Sequence, residues 1–370
     1  MKIAIVINTS WNIYNFRMGF IKALQRAGHE VHTIAPMDEF TPYLVEAGCI
    51  HHPMRMDRRG VNPFKDIALT GELFLTYLKV RPDIILHYTI KPNIYGTLAA
   101  ALLGIPVINN VCGLGTVFLK KNLASAIAMA LYKFAFLFPV KVFFQNPEDL
   151  NLFVSKKLIS KHQADLLPGS GIDLEEFRPA DFNRNRHFTF LMISRLIIDK
   201  GVLEYVKAVE ILRARGVFAR FQLLGSADPK HKRGIQLDTI EKWIINGTVE
   251  YLGTTDNVIP YIVNADCIVL PSYREGTPRA LLEAASCAKP IVATDVPGCR
   301  QVVLNNFNGL LCKLKDAEDL ADKMENMLKM KDSQLKQLGE NGRKLVERKY
   351  DQAIVIEKYI NAIGELRLAS

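Results

Sequence analysis

Apolar residues occur in short, nearly unbroken runs, separated by stretches with helical spacing. Lys2-Ile-Ala-Ile-Val-Ile-Asn8 is the first run and ends in a polar loop. A patterned helix follows from about Phe16 to Ala27, and Gly28 closes it. Residues 30–36, 82–87 and 106–110 read as further strands, with a helix over 94–103 between the last two. Runs that are apolar at consecutive positions suit parallel strands covered on both faces. The pattern restarts after Arg178-Pro179. Strands are predicted at 188–193, 218–224, 249–252, 267–270 and 290–294, with helices over 201–215 and 278–288. This is two doubly wound α/β domains in tandem, residues 1–167 and 183–350, joined through 168–182. The last stretch, 351–370, reads as a helix over about 352–368 with no strand after it, expected to return to the first domain. Ligands in open α/β sheets sit at the carboxyl ends of the strands, so the site is expected from loops of both domains facing across a cleft.

Composition narrows the class. Of 370 residues, 49% are apolar and 23% charged, enough buried surface to order the chain. The 23 glycines and 17 prolines follow no period, which excludes a collagen-like chain. The net charge of +9 is uneven: residues 1–165 hold 18 basic and 11 acidic side chains, residues 166–370 hold 29 and 27. From Ile84 to Pro147 there is no Asp or Glu, while Lys91, Lys120, Lys121, Lys133 and Lys141 are present. A basic, apolar first half points to an anionic partner. The six cysteines form no C-x-x-C and fit neither a zinc site nor a dense disulfide frame, so a reduced, cytoplasmic compartment is expected. The start reads as a strand rather than a signal peptide, and no run reaches the roughly 18 apolar residues of a spanning helix.

The sharpest chemistry lies in Arg274-Glu-Gly-Thr-Pro-Arg-Ala-Leu-Leu-Glu283. Thr277 is the expected N-cap and Pro278 the first helical residue. The amides of Gly276, Thr277 and Arg279 would then form an anion or hydroxyl site. Glu275 precedes the helix and Glu283 lies inside it, which puts the carboxylates roughly 8–10 Å apart along one edge. A nucleotide-sugar needs such a pair, one acceptor for sugar hydroxyls and one for ribose hydroxyls. Ser194-Arg-Leu-Ile-Ile-Asp-Lys-Gly201 follows the first strand of the second half. Arg195 and Lys200 flank a helix start there, and two cations plus its dipole can neutralise a diphosphate without a metal. The chain has no Asp-x-Asp, so no metal clamp and no cofactor is expected.

With Leu167-Pro-Gly-Ser-Gly-Ile-Asp173 and Phe177-x-Pro179, these residues closely resemble the family 4 retaining glycosyltransferases of the GT-B fold, over nearly the whole chain. The resemblance implies that Glu283 binds the ribose hydroxyls and that Glu275, with the Gly276–Arg279 amides, holds the donor sugar. It implies that Arg195 and Lys200 hold the diphosphate and stabilise the leaving nucleoside diphosphate, with the base near Tyr251, Leu252 and Gly253. Ile13-Tyr-Asn-Phe-Arg-Met18, Asp38-Glu-Phe40, Asn62-Pro-Phe64, Lys91-Pro-Asn-Ile-Tyr-Gly96 and Gly113-Leu-Gly115 resemble the subgroup that extends undecaprenyl-diphosphate-linked saccharides. That implies a UDP-sugar donor, HexNAc such as GalNAc, and a polyprenyl-diphosphate-linked acceptor, with capsule and O-antigen enzymes as the alternative. Arg17, Arg55, Arg58, Arg59, Lys91, Lys120 and Lys121 are candidates for acceptor or membrane contact. Residues 118–138, apolar with three lysines, read either as an interfacial helix on an anionic bilayer or as a buried helix.

Two features depart from the family. The loop 109–115 lacks the His many members place near the reacting carbon, although His87 is close in sequence. The first loop lacks the family's double glycine and has no G-x-G-x-x-G, which argues against NAD. The parts fit a front-face substitution through an oxocarbenium-like transition state, the leaving phosphate oxygen taking the acceptor proton. A sugar epimerase would need an acid–base cluster that is not found. A nucleic-acid binder would need interleaved aromatic and basic residues, also not found. The resulting picture is a cytoplasmic enzyme, peripheral on the inner face of the membrane.

Overall fold

The computed structural model describes residues 1–57, 62–114, 123–179, 187–229 and 231–369, with the backbone alone for 123–125 and 367–369. Two compact units result: Met1–Ser170 with Gln352–Ser370, and Gly171–Asp351.

The first unit holds a seven-stranded parallel sheet. Its strands are Lys2–Val6 (β1), Glu30–Ala35 (β2), Ile50–Pro53 (β3), Ile84–Tyr88 (β4), Val107–Val111 (β5), Lys141–Phe144 (β6) and Ala164–Leu166 (β7), in the order β3-β2-β1-β4-β5-β6-β7. The second unit holds six: Thr189–Ile193 (β8), Arg220–Leu224 (β9), Glu250–Tyr251 (β10), Cys267–Leu270 (β11), Ile291–Thr294 (β12) and Gly309–Cys312 (β13), in the order β10-β9-β8-β11-β12-β13. Both sheets start at a central strand and grow outward on either side, as doubly wound folds do.

The alternation along each strand explains the two-sided cover. In β1, Ile3 and Ile5 face one core with Phe20 and Phe143, while Ala4 and Val6 face another with Leu73 and Tyr77. In β8, Phe190 and Met192 pack with Tyr205 and Leu212, and Leu191 packs with Leu281 and Leu282 on the other side. Each large side chain buried in this way contributes about 1.5–3 kcal/mol over leaving it in water. The C-terminal helix Gln352–Ala369 covers the Ile3–Ile5 face through Val355, Tyr359, Ala362 and Ile363. The residues read as the join divide between the units. Ile172 bridges to Asp351, and the Phe177 carbonyl accepts from Ser286 Oγ (2.7 Å) and Arg343 Nη1 (2.7 Å), which ties residues 171–177 into the second unit.

Several boundaries move. The first helix spans Ser10–Arg26, six residues earlier than its pattern suggests, because extended Thr9 starts it and Asn12 and Asn15 blur the apolar stripe. Residues 94–103 divide into a π turn, Pro92–Gly96, and a short helix, Thr97–Leu102. A long helix, Pro63–Val80, was not anticipated.

Candidate active site

In the second unit three loops interlock at the carboxyl edge of the sheet. After β8, a 3-10 turn Ile198–Lys200 ends at Gly201, whose φ of +77° turns the chain into the helix Val202–Ala214. A Cβ at Gly201 would fall 2.0 Å from the Pro271 carbonyl, so only glycine lets this turn meet the loop after β11. The Tyr273 amide donates to the Asp199 carbonyl at 2.9 Å and locks the two loops. The loop after β12 closes the third side. There the Glu275 amide donates to Pro297 (3.2 Å), and a Cβ at Gly298 (φ +87°) would lie 2.4 Å from the Gly276 carbonyl.

This frame aims Lys200 at Glu275. Lys200 Nζ donates to Glu275 Oε1, and Ser272 Oγ donates to the same oxygen at 2.7 Å. Both side chains are mostly buried, 23% and 12% exposed, so the pair is shielded and geometrically fixed. Arg195, on the same loop as Lys200, is exposed, and its guanidinium forms no ion pair among the described residues. A fixed lysine and an open arginine together suit a ligand with two phosphoryl groups.

One turn further, Arg279 Nε donates to Glu283 Oε1 at 3.0 Å across an i,i+4 helical spacing. Arg279 Nη1 donates to the Gly171 carbonyl at 2.7 Å, and the guanidinium lies 5.6 Å from the Phe177 ring centroid. Glu283 is 8% exposed. Burial pushes its carboxyl above the usual range, with Arg279 pulling against that. The helix itself is Arg279–Ser286, and extended Pro278 (ψ 112°) is its N-cap; Thr277 lies outside. This corrects the expected cap. Pro278 is itself still extended, so the first accepting carbonyl is its own, used by Leu281 and Leu282, and the helix begins one residue later than expected.

Tyr251, Leu252 and Gly253 lie at the same edge, at the end of β10. Tyr251 OH donates to the Gly225 carbonyl (3.0 Å), and the Gly225 amide donates to Gly253 (2.8 Å). The position a Gly253 Cβ would take is open. All the second-half candidates therefore gather at one sheet edge. Ser272, Asp199 and Gly298 complete the frame and were not anticipated. The signals were present in Pro271-Ser272 and in Pro297-Gly298, a turn dipeptide after a strand.

The first-unit candidates scatter. Lys91 is ion-paired: its Nζ donates to Asp66 Oδ1 at 2.8 Å, and Tyr95 OH donates to Asp66 Oδ2 at 3.0 Å, with Asp66 2% exposed. A buried carboxylate holds it, as Glu275 holds Lys200. Arg17 is buried on the first helix, and Arg55 is exposed. Arg58, Arg59, Lys120 and Lys121 lie outside the described residues, as does Gly115. His87 is fully buried between Tyr77 OH (2.9 Å) and Asn109 (3.1 Å); burial drops its pKa to about 3, so it is a neutral structural imidazole. The stretch 118–138, where it is described, is buried on one side and exposed on the other. In Leu123–Ala135 and the turn after it, Tyr132 and Phe136 are buried while Phe134, Leu137 and Phe138 are exposed. Among the described residues no group of three or more His, Cys, Asp or Glu could hold a metal, and no helix is long and apolar enough to cross a membrane.

With this geometry in hand, comparison with known proteins decides the family. Residues 173–345 match the model of glycosyl transferases group 1, and residues 2–146 that of glycosyl transferase 4-like proteins. The N,N'-diacetylbacillosaminyl-diphospho-undecaprenol alpha-1,3-N-acetylgalactosaminyltransferase of Campylobacter jejuni is 30% identical over 97% of both chains. The chain belongs to the family 4 glycosyltransferases. An Escherichia coli UDP-Gal:alpha-D-GlcNAc-diphosphoundecaprenol alpha-1,3-galactosyltransferase is 26% identical over 70% of each chain. Among solved structures, sucrose-phosphate synthase of Thermosynechococcus elongatus superposes with a TM-score of 0.82 at 19% identity, all of both chains covered. The glycosyltransferase fold is thus GT-B, with two Rossmann-like domains.

Proposed function

We propose that this glycosyltransferase moves a HexNAc such as GalNAc, with retention, from a UDP-sugar to an undecaprenyl-diphosphate-linked saccharide in the assembly of a surface glycan. The observation that carries the donor half is the Lys200–Glu275 pair, held by Ser272 beside the open Arg195. On donor binding Lys200 and Arg195 take the diphosphate, and the released Glu275 carboxylate accepts from sugar hydroxyls. Glu283, held in place by Arg279, takes the ribose hydroxyls, and the 251–253 corner takes the base. Two side-chain cations at the diphosphate make the transfer independent of a metal, so a chelator leaves the rate unchanged. The electrostatic stabilisation falls on the charge that grows as the sugar leaves. Glu275 is given to the sugar hydroxyls rather than to the reacting carbon, which favours front-face departure with the acceptor hydroxyl giving its proton to the leaving phosphate. The lipid half of the reading draws on the acceptors named for the two relatives.

Contact with an anionic membrane surface has its own support. The helix Pro63–Val80 turns Phe64, Ile67, Leu75 and Leu78 outward on one stripe, Phe64 85% exposed, and Phe134, Leu137, Phe138 and Lys133 are exposed elsewhere on the unit. All six cysteines are free thiols, in keeping with the inner, reducing face of the membrane. The test incubates the chain with UDP-GalNAc and other UDP- and GDP-sugars, a prenyl-diphosphate-linked saccharide, and anionic vesicles. Release of UDP with lipid extension and an α product from an α donor is expected. A β product removes the retaining mechanism, and failure to float with vesicles removes the membrane contact.

A further inference from the structure

Arg17 is 7% exposed and stands at the carboxyl edge of the first sheet. Its guanidinium carbon lies 4.0 Å above the Tyr88 ring, at the end of β4. Nη1 donates to the Asn12 carbonyl (3.2 Å) and to the Asn12 side-chain oxygen. Nε is buried with no partner. The Cys112 thiol is next to it: burial pushes that thiol up, and Arg17 pulls against it. No ion pair to Arg17 forms among the described residues. The sequence explains why. The helix Ser10–Arg26 that carries Arg17 contains no Asp or Glu, and neither does any position from Ile84 to Pro147, which includes β4, β5 and the loops after them.

A guanidinium taken out of water and given no counter-charge is one of the more costly arrangements a fold can hold. Other buried polar atoms at this edge are also unsatisfied. Thr89 Oγ1, on a residue with φ +67° immediately after Tyr88, and Asn93 Oδ1, whose amide N–H donates to Thr89, have no partner. Arginine is the residue whose planar fork matches a phosphoryl group in two hydrogen bonds.

We infer that Arg17 is the anion-binding residue of the first unit and that its missing counter-charge is the diphosphate of the lipid-linked acceptor. This rests on the acceptor reading proposed above, but not on the donor site. Tyr88 and Asn12 hold the guanidinium plane in place, so the site is built before the ligand arrives. Free pyrophosphate shares this chemistry, and the test separates it from the lipid form.

Thermal midpoints of the full chain are measured with UDP saturating throughout, so that the second unit's cations are occupied; a prior UDP titration shows whether that donor site exists. Inorganic pyrophosphate and farnesyl diphosphate are then added to the wild type and to Arg17→Met. Both probes should raise the wild-type midpoint, farnesyl diphosphate at lower concentration. Arg17→Met should melt no lower than wild type and respond to neither. Equal shifts in both proteins, or no shift in wild type, would overturn the inference. If Arg17→Met does not fold, the Arg17 Nε–H resonance of the wild type, assigned through Arg17→Lys, decides: it must move on adding pyrophosphate. Farnesyl diphosphate no better than pyrophosphate would remove the lipid assignment. In turnover, Arg17→Lys should raise KM for the prenyl-diphosphate acceptor about ten- to a hundredfold, leaving KM for the UDP-sugar unchanged; a change in kcat alone would count against it.

Discussion

Two arginines, one buried in the first unit and one half-buried in the second, are treated in opposite ways. Arg279 has a carboxylate at 3.0 Å, a carbonyl at 2.7 Å and an aromatic ring beside it. Arg17 has the ring and an asparagine, but no carboxylate among the described residues. The second unit balances its charges internally before any ligand arrives, in the Lys200–Glu275 and Arg279–Glu283 pairs. The first unit leaves one cation unbalanced. A site that must hold sugar hydroxyls as well as phosphates needs both signs of charge, and storing them as pairs keeps each soluble in the fold. A site for a single anion needs only the cation, and its empty state carries the strain.

The largest effect expected from this contrast is on stability. Arg279→Leu strands Glu283, buried and without its partner, and should destabilise the second unit by about 3 kcal/mol. Adding Glu283→Leu removes the stranded acid, and the double variant should recover most of the loss in a denaturant titration. Arg17→Met strands no acid. If Arg279→Leu proved as harmless as Arg17→Met is expected to be, the distinction between paired and unpaired arginines would fail.

The effect on catalysis comes next. Lys200→Ala or Glu275→Ala should lower turnover about a hundredfold or more, roughly 2.7 kcal/mol, with the chain still folded at the assay temperature although its melting midpoint falls, since each change leaves the other shielded charge unpaired. Steady-state rates of UDP release check this, and near-normal rates in both variants would remove the donor assignment. Ser272→Ala should cost less, since it only steadies Glu275 Oε1.

How much of this was legible in the sequence differs between the units for a physical reason. The second unit's site lies on short loops between strong strands, so the order of residues from Arg195 to Lys200 and from Glu275 to Glu283 already fixed their neighbourhood. Their pairing was not legible, because it depends on Gly201 and Gly298 bringing three loops within van der Waals distance. In the first unit the helix Pro63–Val80 announces its start with Asn62, whose side chain accepts from the Phe64 and Lys65 amides, followed by Pro63. Its periodicity is hidden because both faces are apolar: Leu69, Leu73 and Tyr77 point inward, Ile67, Leu75 and Leu78 outward. The edge strand β3, Ile-His-His-Pro, is too polar to read as a strand and pairs on only one side. Arg17 was placed correctly on its helix, but its burial follows from Tyr88 and the C-terminal helix closing around it, which no local pattern shows. Lys91 illustrates the converse, since its partner Asp66 is 25 residues away in sequence.

The effect that is smallest over a single pH unit, and the one that opposes the units most directly, is in pH. His87 in the first unit titrates at about 3 when folded against an ordinary 6.5. Between those values the unfolded chain binds the extra proton, so the first unit should lose stability as pH falls below 6.5, by up to about 1.4 kcal/mol per pH unit. Glu283 in the second unit is shifted the other way, above its ordinary 4.5, chiefly by burial. Its folded form holds the proton longer, so this contribution is full below 4.5 and is lost as pH rises through the folded value. Hydrogen exchange followed peptide by peptide at a series of pH values separates the two. Peptides of β4 and β5 should open faster on acidification and those of Arg279–Ser286 should not. His87→Gln should flatten the first response and leave the second, and an equal acid response in both units would show that neither buried group governs its own.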